Sequence, residues 1–129
     1  MLVETILANL LLDDTSVTAV IDDRIFYRHL PRDPTFPAIV YHHISDPHDS
    51  ATGIGRQRVQ YDCIGETLAG AKELATKVRD ALHGDQHKGV YDSVRISFVE
   101  YQDMHPGESD TDTGLETYLV DFIVTYTEA

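Results

Sequence analysis

The sequence predicts an α+β domain, in which a mainly antiparallel sheet of about four strands packs on one long helix. Two spacings of apolar residues support this class. They recur at helical spacing over residues 67–82, and they alternate at strand spacing over residues 56–64 and 117–126. An apolar first segment adds an N-terminal helix or helical hairpin, so both kinds of structure are expected in one fold.

The first segment of the chain predicts two short helices. Apolar residues between Leu2 and Leu12 recur about one helical turn apart, which indicates an amphipathic helix. Asp14 or Thr15 then caps a second helix that ends at Ile21, because carboxylates and hydroxyls accept hydrogen bonds from the free N–H groups of a first turn.

Three prolines divide the next part of the chain. Arg24–Tyr27 is a predicted short strand, and Pro31, Pro34 and Pro37 then remove three backbone donors and fix three φ angles. Regular structure is therefore not expected between the prolines. The β-rich segment Ala38–Ser45 follows as a predicted strand.

The second half of the chain combines strands with the long helix. Arg56–Ile64 is a predicted strand with one buried face, and Thr67–Leu82 is the predicted long helix. Val90–Tyr101 and Thr117–Tyr126 are the last two predicted strands. A polar loop rich in Asp, Gly and Thr joins them over residues 103–114.

The last predicted strand carries apolar residues on both of its faces. Leu119 and Ile123 lie on the face opposite to the main apolar row. A few helices in a small domain cover only one face of a sheet. Leu119, Asp121 and Ile123 are therefore candidates for contact with another subunit.

Length and cysteine content bound the kind of protein. A chain of 129 residues suits one hydrophobic core, so a single domain over residues 1–129 is expected. Its one cysteine, Cys63, excludes an internal disulfide. No apolar run reaches the roughly 18 residues of a membrane span, and the first segment carries Glu4 and Asn9 without a basic leader. We expect synthesis in a host cytoplasm and no membrane partner.

The formal net charge of −12 argues against a general affinity for duplex DNA, because such binding depends on Lys and Arg beside the phosphates. The acids are 15 Asp and 7 Glu, whereas the bases are 7 Arg and 3 Lys. This skew gives the hypothesis of a halophilic origin, since salt screens the self-repulsion of a highly charged chain.

The histidines do not make a metal site by their spacing. His42 and His43 are neighbours on a predicted strand, so their rings are expected on opposite faces. His48 with Asp46 and Asp49 lacks the spaced acids and the final glutamate of a calcium loop.

The remaining candidates for chemistry fail on similar grounds. Glu108, Asp110 and Asp112 alternate, but the glycine and glutamate of a calcium loop are not at their required places. Cys63 shares the phase of the core-facing residues of its strand and is expected in the core. No nucleotide, zinc or serine hydrolase motif occurs. The sequence thus predicts no catalytic residue, no metal site, no cofactor and no enzyme.

Three segments resemble the tail completion, or tail terminator, proteins of long-tailed bacterial and archaeal viruses. FPAIVYHHIS, residues 36–45, is similar to the family's Pro-bounded first long strand. RVQYDCIGETLAGAKELATKVRDAL, residues 58–82, is similar to its strand–turn–helix block, and DFIVTY, residues 121–126, is similar to its closing strand. The acidity of the chain and its long Asp-rich loop depart from the family pattern.

The resemblance implies a structural virion protein in the neck of a siphovirus-type particle, at the head-proximal end of the tail. Such proteins form rings, commonly homohexamers, that stop tail-tube polymerisation and join the tail to the head connector. The implied partners are other copies of the chain, the tail-tube protein and the connector protein. DNA is expected to pass through the ring without specific binding.

Two loops on the sheet are the expected contacts with neighbouring rings, because loops vary more easily than strands. One covers residues 46–57 and the other covers residues 103–115. The candidate contact residues are Asp46, Pro47, His48, Asp49, Ile54, Arg56, Arg58, Met104, His105, Glu108, Asp110 and Asp112. Ile54 and Met104 are the expected apolar anchors.

Two other functions fit the sequence. A head-completion stopper or another neck ring protein shares the size, the fold class and the lack of catalytic motifs. A small ligand-binding α+β domain would use Tyr41, His42 and His43 as its pocket.

Overall fold

The computed structural model describes residues 2–129, and residue 1 lies outside this range. Three helices and seven strands form these residues. In chain order they are α1 Val3–Leu12, α2 Thr15–Ile21, β1 Ile25–Tyr27, β2 Ala38–Ser45, β3 His48–Asp49, β4 Ile54–Gly65, α3 Leu68–Leu82, β5 Gly89–Tyr91, β6 Val94–Pro106 and β7 Glu116–Glu128.

All seven strands belong to one sheet, in the order β1-β2-β4-β7-β6-β5, with β3 also paired to β4. Every pair is antiparallel except β1 and β2. The α+β class and the mainly antiparallel sheet are confirmed. The predicted count of about four strands on one long helix is replaced by seven strands and three helices. The predicted short strand Arg24–Tyr27 is confirmed as β1, β5 lies within the predicted strand Val90–Tyr101, and β3, which is two residues long, is too short for a periodic signal.

Side chains cap two of the three helices, and of the two caps predicted for α2 the structure shows Asp14. Asp14 Oδ1 accepts hydrogen bonds from the N–H groups of Ser16 at 2.9 Å and Val17 at 3.3 Å, so the aspartate begins α2. Thr67 Oγ1 accepts from the N–H of Gly70 at 3.0 Å and begins α3. Helix α1 lacks such a side-chain cap and begins after an extended residue.

The predicted single strand over Val90–Tyr101 is wrong. Asp92 has a φ of 55°, and a turn at residues 92 and 93 divides the segment into β5 and β6. A left-handed residue ends an extended strand, and aspartate is one of the residues that tolerate it. Strand β6 then runs on through Pro106, which moves the start of the predicted polar loop from residue 103 to residue 107.

The helices cover one face of the sheet, which we call the inner face. Its central residues are Val59, Tyr61, Cys63, Val120, Phe122 and Val124, and each is completely buried. The rings of Tyr61 and Tyr101 meet the Phe122 ring edge-on, with centroids 5.8 and 6.3 Å away. Stacking α1 and α3 on these residues buries the core of the domain.

The opposite face of the sheet, which we call the outer face, carries mixed side chains. Its central residues are Arg58, Gln60, Asp62, Leu119, Asp121 and Ile123. Arg58 is exposed, and the other five are half-buried. No helix within residues 2–129 is long and apolar enough to cross a membrane.

Candidate functional site

The first predicted contact loop is an ordered hairpin, which we call the contact hairpin (residues 46–57). It contains β3 and the start of β4. The Tyr126 hydroxyl donates to the Asp46 carboxylate at 2.7–2.8 Å, and the His48 ring meets the Tyr126 ring edge-on at 5.7 Å. Gly55 makes room for this packing, because a Cβ there would lie 2.5 Å from the Tyr126 ring. The hairpin is therefore fixed to the end of β7.

The tip of the contact hairpin remains open to a partner. A tight turn holds it, in which the Ala51 N–H donates to Asp49 Oδ1 at 2.9 Å. Ile54 is 38% exposed, although it is a large apolar residue. Arg56 is exposed, and its guanidinium lies 3.7 Å from the Glu100 carboxylate on the outer face. The tip thus presents one apolar side chain beside a charged pair.

The second contact loop was predicted over residues 103–115, and the structure has a loop over residues 107–115, which is acidic and mostly exposed; we call it the acidic loop. Asp110 organises it, because its Oδ1 accepts from the N–H groups of Asp112 at 2.9 Å and Thr113 at 3.3 Å. These backbone hydrogen bonds lower the pKa of the Asp110 carboxyl. Glu108 projects into solvent beside it. The acids therefore bond to the loop's own backbone or face water.

Two residues predicted for this loop lie at the end of β6 instead. Met104 pairs with Val120 and packs against the core, so only part of its side chain is open to a partner. His105 lies on the outer face, where its Nδ1 is 3.1 Å from Asp103 Oδ2. Ile54 is therefore the more exposed of the two predicted apolar anchors.

The contact hairpin and the acidic loop lie at opposite ends of the sheet. Gly55 pairs with Tyr126 near the end of β7, whereas Gly65 pairs with Glu116 at its start. The ten residue steps between these pairs span about 30 Å of extended chain. The structure therefore does not bring the two sets of predicted contact residues together, and each end of the sheet offers its own surface.

The predicted subunit contact, Leu119, Asp121 and Ile123, lies half-buried on the outer face of β7. Asp121 Oδ1 is buried and has no hydrogen-bond partner among residues 2–129. Burial is the main cause that raises the pKa of the Asp121 carboxyl. The charge of Arg58 opposes this rise, and the neighbouring Asp103 adds to it. The centre of the outer face thus holds a carboxylate that lacks a donor.

The rings of His42 and His43 lie on opposite faces of the sheet, as predicted. His42 Nε2 is 2.9 Å from Asp62 Oδ2 on the outer face. His43 Nδ1 is 3.7 Å from Glu4 Oε1 on the inner face. Tyr41 is buried against Tyr61 with ring centroids 6.1 Å apart, so it does not join the two histidines in one pocket.

Chemical sites of other kinds find little support in the geometry. Within residues 2–129, no three His, Cys, Asp or Glu side chains are placed to hold a metal ion. Cys63 is completely buried, as its strand phase predicts, and burial raises the pKa of its thiol. A thiol in this setting behaves as a small apolar side chain.

Two polar contacts escaped the sequence analysis. The buried Gln57 side chain donates to the buried Glu4 carboxylate at 2.7 Å, which ties α1 to the sheet. Gln57 takes its place in the alternating row of buried residues along β4. A polar residue at a core-facing position could therefore have indicated a buried hydrogen bond. The hydrogen bond between Tyr126 and Asp46 joins residues 80 positions apart in the chain, so no local pattern in the sequence predicts it.

Comparison with known proteins gives a family and a fold. The profile of the family described as "Tail completion protein gp17" matches residues 5–126. A chain in the solved structure "Virion of native gene transfer agent (GTA) particle" shares the fold with a TM-score of 0.74 at 19% sequence identity. The match covers 95% of this chain and 92% of that chain.

None of the curated protein sequences matches the chain. The family match nevertheless spans nearly all of it, including the contact hairpin, the acidic loop and both faces of the sheet. The chain therefore belongs to the tail completion protein family, and its place is the tail and neck region of a virion.

Proposed function

We propose that the protein forms a homohexameric ring that caps the head-proximal end of the tail tube, stops tube polymerisation and joins the tail to the head connector. The observation that carries this proposal is the placement of two exposed surfaces at opposite ends of one rigid sheet. A protein that bridges two partners needs two such surfaces, and a protein that binds one ligand needs a single site.

The two ends suit partners of different chemistry. The contact hairpin offers the exposed apolar Ile54 beside the Arg56 side chain. The acidic loop offers Glu108, Asp110 and Asp112, so it suits a partner with a basic surface. One end meets the tail tube and the other meets the connector.

Subunit contacts in the ring involve the outer face. The Asp121 carboxylate lacks a donor within the described residues, and a donor from a neighbouring copy would supply the missing hydrogen bond. Leu119 and Ile123 on either side of Asp121 would become fully buried at the same time. Burial of apolar area would stabilise the contact, and the carboxylate would set its geometry.

Acidity suits a ring through which DNA passes. Each copy contributes a net charge of −12, so the assembled ring repels phosphates wherever its acids face the channel. Repulsion keeps DNA from adhering to the wall during packaging or ejection.

The test uses virions assembled with variants of the chain. Ile54→Ser removes the apolar side chain at the hairpin, with Ala51→Ser at the exposed tip as the matched control. Asn replacements of Asp110 and Asp112 remove two charges at the other end and leave Glu108 unchanged. We expect each set to leave the melting temperature nearly unchanged and to reduce head–tail joining, seen by electron microscopy as separate heads and tails.

Loss of the protein should give tails of irregular, extended length, because nothing stops the tube. Purified protein should form particles of six times the chain mass, either alone or on isolated tubes. Tails of normal length joined to heads in the complete absence of the protein would refute the proposal.

A further inference from the structure

The sheet has two edges that are only partly paired. Strand β1 pairs with β2 over residues 39–41, and within residues 2–129 no strand lies beside residues 42–45 on that side. At the other edge, β5 pairs with β6 over residues 94–96 and Gly84 pairs with Val99. Tyr101 donates its N–H to the His83 ring at 3.2 Å, and no described strand lies beside residues 102–106 on the side away from β7. Exposed strand edges are templates for pairing with another chain.

The two edges carry opposite charge. Residues 24–43, which form β1, the connector and most of β2, contain three Arg, three His and one Asp. Residues 100–112, which form the end of β6 and most of the acidic loop, contain five acids and no Lys or Arg. Arg28 and Arg32 are exposed on the first side, and Asp103 and Glu108 are exposed on the second. We call these the basic edge and the acidic edge.

The basic edge also contains a recess. Where β1 ends, a cavity of about 580 Å³ opens beside the unpaired part of β2. Its lining residues are Tyr27, Arg28, His42, His43, Ile44 and Gln60. Tyr27 and Ile44 are 43% and 48% exposed and both line this recess. A neighbouring chain at this edge would cover both.

Strand direction permits the two edges to meet. The four long strands follow the order β2-β4-β7-β6, and each is antiparallel to the next, so β2 and β6 run in opposite directions. If β6 of one copy lies beside β2 of the next, that pair is antiparallel as well. Because the joined edges differ, the contact is head-to-tail, and repetition of one rotation can close a ring.

We infer that neighbouring copies of the chain join edge to edge, with the acidic edge of one copy on the basic edge of the next. The partner at each edge is a second copy of this chain, so the inference rests on the proposed ring and specifies its joint. The β7 residues Leu119, Asp121 and Ile123 lie one strand inside the acidic edge. Opposite charges select the correct pairing, since two like edges repel each other.

Charge reversal at the two edges tests the pairing. Recovery of assembly when two variants are mixed cannot come from a general effect on stability. The first variant carries Arg28→Glu and Arg32→Glu, and the second carries Asp103→Lys and Glu108→Lys. Each variant alone should require about tenfold or more protein to assemble, because like charges then face each other at every joint. An equimolar mixture should assemble again, in particles that alternate the two variants and contain three of each.

Matched controls change the net charge equally on helix α3 and its N-terminal turn, away from both edges. Lys72→Glu with Lys77→Glu matches the first variant, and Glu66→Lys with Glu73→Lys matches the second. The controls should assemble as the parent does. Assembly of both edge variants at the parent's concentration would overturn the inference, and so would their failure to recover on mixing while the controls still assemble.

Cross-linking tests the geometry of the joint. Cys63 is completely buried, so cysteines introduced at the exposed residues Ser45 and Gln102 become the reactive ones. With a short bis-maleimide reagent, the double variant should give a ladder of products up to six chains, and each single variant should give none. Dimers from either single variant would show that identical edges meet, which contradicts the head-to-tail joint.

The same measurements separate the inference from the proposed function. Rings that form without an edge-to-edge ladder would reject the joint and keep the ring. A chain that stays monomeric at every salt concentration, with and without tail tubes, would reject both.

Discussion

The two faces of strand β7 differ in what covers them. On the inner face, Val120, Phe122 and Val124 are completely buried under the helices. On the outer face, Asp121 and Ile123 are half-buried, and none of the helices within residues 2–129 covers them. One strand therefore packs into the core on one side and leaves its other side partly exposed.

This difference explains why a strand with apolar residues on both faces occurs in so small a domain. The inner residues specify the monomer through packing, whereas the outer residues add little to it. A buried carboxylate oxygen without a donor is a cost that a monomer has no reason to carry. Substitutions on the two faces measure how sharply the chain separates the two roles.

The largest expected effect comes from the inner face. Phe122→Ala removes the ring that meets Tyr61 and Tyr101 and should lower the free energy of unfolding by about 3–5 kcal/mol. Urea denaturation measures the loss. Ile123→Ala, one residue further on the outer face, is the matched control and should cost less than about 1.5 kcal/mol. Equal losses would abolish the distinction between the faces.

A smaller loss should follow removal of the inner polar pair. Gln57→Ala leaves the buried Glu4 carboxylate without its donor and should lower the free energy of unfolding by about 1–3 kcal/mol. Gln60→Ala removes the same side chain on the outer face and should stay within about 0.5 kcal/mol of the parent. A comparable loss of stability at both positions would show that the polar side chains of the outer face also stabilise the monomer.

The junction between the inner face and the contact hairpin should show a local effect. Tyr126→Phe removes the bond to Asp46 and should cost about 1 kcal/mol. Hydrogen exchange at residues 46–53 should become faster, whereas exchange at residues 107–115, at the opposite end of the sheet, should not change. Equal acceleration at both ends would contradict a local tether.

The smallest expected effect is a gain in the free energy of unfolding, on substitution of Asp121. Burial raises the pKa of Asp121 in the folded chain, so stability is lost as the pH rises above the unfolded value of about 3.9. Asp121→Asn removes that loss, and the variant should exceed the parent by less than about 1 kcal/mol at pH 7, because solvent screens a half-exposed group. The difference should vanish at pH 3. A less stable variant at pH 7 would mean that the carboxylate is paired within the chain.

Most of the fold was predictable because long elements repeat a period. The β-rich composition gave the strand Ala38–Ser45 with its observed bounds, and the spacing of apolar residues gave α3 to within one residue at its start. The turn at Asp92 was missed, since one left-handed residue interrupts a strand without changing the alternation on either side. The three short strands, β1, β3 and β5, are too short to show a period of apolar residues. Each of them pairs with a longer strand.

The candidate surfaces were predictable in composition but not in arrangement. Polar residues and glycines marked both contact loops. Their positions at opposite ends of the sheet depend on the pairing of β4 with β7, which joins residues far apart in the chain. Met104 and the bond between Tyr126 and Asp46 show the same limit, because tertiary packing decides which side chains stay exposed.

The close approach of Gly55 to the Tyr126 ring has a consequence for how this protein changes over generations. Any side chain at residue 55 would displace the Tyr126 ring, whose hydroxyl holds Asp46. Few substitutions are therefore tolerated at the base of the hairpin. Residues 50–52 at the tip are exposed and make no such contact. If the head or tail partner changes, single mutations can therefore alter the surface of the tip while the base keeps the hairpin in place.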